Sequence, residues 1–168
     1  MKIFHRYHST IHGNYRRAYL RCGLIAGVVL MLYILVRYLM GRPAESPEAY
    51  LSDGILLLSV VLFTLLYRNA LSERKASLKE LMLFGTGLSV VASVLYGLFV
   101  WLFGMAAPAQ TVLFTFTMRG QEIAPDDPQI GYWAALWGIV AGVKLAILGS
   151  FGAFFSALLF RTEKAPTV

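Results

Sequence analysis

Four apolar stretches, each about as long as a bilayer is thick, set the terms for this 168-residue chain. A hydrocarbon core about 30 Å thick needs about 20 mostly apolar residues in a helix. The stretches cover residues 18–38, 49–67, 81–103 and 132–160, with Asp53 near the start of the second and Lys144 inside the fourth. Aromatic residues mark their ends: Tyr19 and Tyr38, Tyr50 and Tyr67, Trp101, then Tyr132, Trp133 and Trp137. From Tyr19 to Tyr38 is about 28 Å of helix at 1.5 Å per residue, which matches the apolar thickness.

Composition excludes the soluble alternatives. Hydrophobic residues make up 58% of the chain and charged residues 14%, and mean hydropathy is +0.64. A soluble domain carries about 25% charged residues. Cys22 is the single cysteine and cannot form an internal disulfide. A disordered chain and a disulfide-built secreted domain are likewise excluded.

The net charge of +6 reports threading, not nucleic acid. Lys2, Arg6, Arg16, Arg17, Arg21, Arg68, Arg74, Lys75, Lys79, Arg161 and Lys164 fall on one side of the four-span plan. Arg37, Arg42 and Arg119 fall on the other, with most of the acids. Lys and Arg concentrate in cytoplasmic loops, so both termini are expected in the cytoplasm. No basic groove studded with aromatics suggests a nucleic-acid partner. Arg16, Arg17 and Arg21 suit anionic headgroups at the cytoplasmic face.

The expected fold is all-α: an antiparallel four-helix transmembrane bundle with short loops, one domain over residues 18–163, with a basic cytoplasmic tail over 1–17 and a short one over 164–168. The first span reads as a retained helix, not a cleaved leader. Ser46-Pro47 and Asp126-Asp127-Pro128 read as helix starts, and Ser77-Leu78-Lys79-Glu80 as a capping box. Between spans three and four, residues 104–131 form the one sizeable loop, in which Thr111–Met118 alternates like an extended segment.

Small residues recur at helical spacing and mark packing faces. They are Gly23 and Gly27; Gly85, Ser89, Ser93 and Gly97; and Gly138, Gly142, Ala146, Gly149 and Ala153. The faces suit packing within the chain, a homo-oligomer or a membrane-protein partner.

Lys144 and Asp53 are the residues out of place. A charge central in a span costs about 2.5–3.5 kcal/mol on the insertion scale. Were the embedded part of the fourth helix to start near Gly138, Lys144 would lie about 9 Å inside the boundary, within reach of snorkelling. Asp53 is its natural partner, and Arg37 competes for the same carboxylate. His5, His8 and His12 share helical spacing, but no Cys or carboxylate joins them, so no metal site is expected. No cofactor loop, nucleophile elbow or metalloprotease motif occurs, and Cys22 reads as packing.

Gly23-Leu24-Ile25-Ala26-Gly27, Tyr67-Arg68, Gly85 and Ser93-Val94-Leu95-Tyr96 give the chain a family likeness. On these residues it resembles small bacterial four-span membrane proteins, common in Bacteroidota and known as a domain of unknown function. The resemblance covers residues 18–163. It departs at Glu73-Arg74-Lys75-Ala76-Ser77, where the family often has glycines, and in a short outer loop. It implies a location in the bacterial inner (cytoplasmic) membrane and a bundle fold, and supplies no mechanism. The expected role is a non-catalytic structural or interaction subunit. The alternatives are a small transporter or channel using Lys144 and Asp53 and, last, a membrane enzyme. A transport path would draw on Ser59, Thr64, Thr86, Ser89, Ser93, Ser150 and Ser156.

Overall fold

In the computed structural model the described residues are 15–40, 50–71, 77–106 and 130–160. They form α1 (Tyr15–Leu39), α2 (Leu51–Ala70), α3 (Leu78–Ala106) and α4 (Ile130–Phe160). All four are long and apolar enough to cross a membrane. The histidines, the residue 41–49 and 72–76 connections, the alternating Thr111–Met118 segment and the acid-proline start before α4 lie outside the described residues.

The helices run one to three residues past several ends of the apolar stretches. Arg68, Asn69 and Ala70 prolong α2, and Leu78, Lys79 and Glu80 open α3 ahead of its apolar run. Backbone hydrogen bonding continues through polar residues that hydropathy excludes. At the start of α3, the Glu80 N–H donates to Ser77 Oγ at 3.2 Å, one half of a capping box. The Glu80 carboxylate accepts from the Tyr67 hydroxyl on α2 at 3.0 Å, and the Tyr67 ring stacks on Phe84 at 4.2 Å between centroids. That end of α2 is thereby tied to the first turns of α3.

Helix α3 is the centre of the fold. Its broadest interface is with α4, followed by that with α1, while α2 packs chiefly on α4. Tyr19, Gly23 and Gly27 of α1 meet Gly87, Val91 and Leu95 of α3, with both numbers rising together. On the other side, Gly85, Ser89, Ser93 and Gly97 of α3 meet Ala153, Gly149, Gly142 and Gly138 of α4, with the α4 numbers falling. Backbone closeness is the reason for glycine here. A Cβ on Gly138 would come within 2.5 Å of the Gly97 carbonyl oxygen, and one on Gly97 within 2.6 Å of the Gly138 carbonyl oxygen. Ala146 lies at the edge of the same interface, in the wall of a surface groove.

The core is built from Leu30, Leu56, Val60, Leu81, Phe84 and Leu88 with Ala92, Leu145 and Ala153. The outward faces are equally apolar: Leu24, Val28, Leu32, Leu58, Val94, Val143, Ile147 and Phe151 are all exposed. Only 28–33% of each apolar window is buried inside the protein. Buried contacts alone do not account for that much outward hydrocarbon, which fits a surrounding of lipid.

Helix α2 is the short one, at about 30 Å against about 44 Å for α3. Its start lies beside Tyr96, through a side-chain hydrogen bond between Tyr96 and Ser52. Helix α3 runs ten residues, about 15 Å, beyond Tyr96 to Ala106. Helix α1 keeps pace with it, as the edge-on contact of Tyr38 with Phe103 at 4.9 Å shows. The first turn of α2 therefore sits recessed between longer neighbours.

Candidate functional site

At this recess Asp53 and Lys144 meet, with Arg37 near by. Asp53 occupies the first turn of α2, where the positive end of the helix dipole favours a carboxylate. Lys144, the one charge in α4, places Nζ 2.6 Å from Asp53 Oδ2. The exposures are unequal, with 18% of the Asp53 side chain accessible against 53% for Lys144. The acid is the buried member and the base the open one. Lys144 reaches along its own apolar stem to the acid, with about half of its side chain accessible. Its Nζ also lies 5.6 Å from the centroid of the Tyr50 ring, within cation–π range.

Two further helices contribute. On α1, the Arg37 guanidinium sits 5.9 Å from the Tyr33 ring centroid. On α3, the Tyr96 hydroxyl shares its hydrogen bond with Ser52 and feels the charges of Asp53 and Arg37. Arg37 thus enters the same electrostatic neighbourhood, while Lys144 makes the close ion pair. Asp53 Oδ1 is buried with no hydrogen-bond partner among the described residues. The cluster joins one or more polar side chains from each of the four helices.

Sequence reasoning singled out Asp53, Lys144 and Arg37, and the structure brings the first two into contact. It did not find Tyr96, Ser52 or Tyr33. A lone tyrosine or serine in a span reads equally well as packing, so their role appears only when the helices are assembled.

The remaining hydroxyls of the four helices do not extend the cluster into a path. Ser59, Ser89, Ser150 and Ser156 each donate to the carbonyl four residues earlier on their own helix, at 2.7–2.8 Å. Thr64 and Ser93 are buried, and their hydroxyls meet no hydrogen-bond partner among the described residues. A groove of about 500 Å³ runs along the α3–α4 seam between Ser93, Trp101, Ala135 and Ala146. Its α4 wall (Ala135, Gly138, Ile139, Gly142, Val143, Ala146) lies about 170° around the helix from Lys144. Groove and charged cluster are on opposite sides of α4.

The chemistry available at the cluster is that of charge neutralisation. Cys22 is half-buried on α1, away from these groups in sequence and span position. Comparison with protein-family models, with curated proteins and with solved structures finds no match to this chain.

Proposed function

We propose that the chain is a non-catalytic, multi-pass protein of the bacterial inner membrane, acting as a structural or interaction subunit. Its four helices thread the bilayer as an antiparallel bundle, with both termini in the cytoplasm. The pairing of Asp53 with Lys144 carries this reading. The two charges that could have served a substrate are spent on each other at the edge of the helices, and the other hydroxyls mostly bond to their own backbone. A carrier or channel needs a polar path, commonly with helices broken near the midplane. The described helices are continuous, and the groove opens sideways among apolar residues. The likeness to small four-span bacterial membrane proteins fits the same location.

The test is extraction into native lipid discs followed by mass measurement of what travels with the chain. A second protein at fixed stoichiometry is the expected result. A monomer or homo-oligomer alone refutes the subunit reading, and flux assays on Lys144→Met then take its place.

A further inference from the structure

We draw no further inference here: the strongest candidate, the groove along the α3–α4 seam between Ser93, Trp101, Ala135 and Ala146, is an unpartnered face of small and apolar residues, and nothing in the structure shows what covers it.

Discussion

Replacing Gly138 with alanine tests whether the backbone contact between α3 and α4 holds the protein together. The added methyl would stand 2.5 Å from the Gly97 carbonyl oxygen and 3.1 Å from Trp101 Cβ. Ordinary van der Waals contact begins near 3.4 Å, so the helices must separate locally by about 0.9 Å. The nearest obstacle is backbone, which has no rotamer to change. A gap of that size forfeits a quarter to a half of each dispersion contact it opens, and overpacking of this kind costs about 1–3 kcal/mol. The alanine returns part of this through its lower backbone entropy when unfolded, about 0.4–1 kcal/mol. The expected net loss is about 1–2 kcal/mol. Gly54→Ala is the matched control, because nothing lies within 4 Å of a Cβ built there. It keeps the entropic gain without the clash and should stabilise by about 0.4–1 kcal/mol. Cys22 supplies the assay: it is the single cysteine and half-buried, so a thiol-reactive fluorophore reports its exposure on heating in mild detergent. Each kcal/mol should move the midpoint by about 2–4 °C. A Gly138→Ala midpoint equal to or above that of Gly54→Ala would refute the close-approach argument.

The ion pair should show an asymmetry. Lys144→Met leaves a mostly buried carboxylate unpaired and should cost about 2–3 kcal/mol, while Asp53→Asn leaves a half-exposed lysine and should cost less than about 1 kcal/mol. Equal losses in thermal unfolding, or no recovery in the Asp53→Lys, Lys144→Asp double variant, would count against a direct pair. Thr64→Val removes a buried hydroxyl that meets no partner among the described residues at nearly constant shape, and should stabilise by about 1 kcal/mol in the same unfolding assay. Tyr67→Phe should lose about 0.5–1.5 kcal/mol with its hydrogen bond to Glu80, and Glu80→Gln should lose less, because an amide oxygen still accepts. For threading, Ala76→Cys and Gln121→Cys in a Cys22→Ser background should react with a membrane-impermeant thiol reagent from opposite sides; labelling from one side would exclude the up-and-down arrangement.

The positions of the helices were legible because hydropathy sums over about 20 residues, and single exceptions such as Asp53 or Lys144 do not erase the signal. Their ends were less so, since Arg68, Asn69, Lys79 and Glu80 continue the backbone ladder while contributing nothing apolar. The Ser77–Glu80 spacing located the start of α3, but not where the acid would go. A capping box is local, whereas the Tyr67 hydroxyl that takes the Glu80 carboxylate arrives from another helix. The small-residue stripes could be read from their spacing. Their partners could not, because glycine has no side chain to signal what it faces. In the structure Gly85, Ser89, Gly97, Gly138, Gly142 and Gly149 meet one another's helices within the chain.

The charged cluster shows why one half of a site can be read and the other cannot. Each charge in an apolar span needs a partner, and a chain with so few offers a short choice: Asp53 could meet Lys144 or Arg37. Helix length then decides between them. Because α2 begins about 15 Å short of the end of α3, Asp53 lies below the last turn of α1 and beside the rising stem of Lys144. Arg37, near the end of α1, lies over the Tyr33 ring and within the field around Tyr96. The short second helix thus sets Asp53 at the level that the Lys144 ammonium reaches.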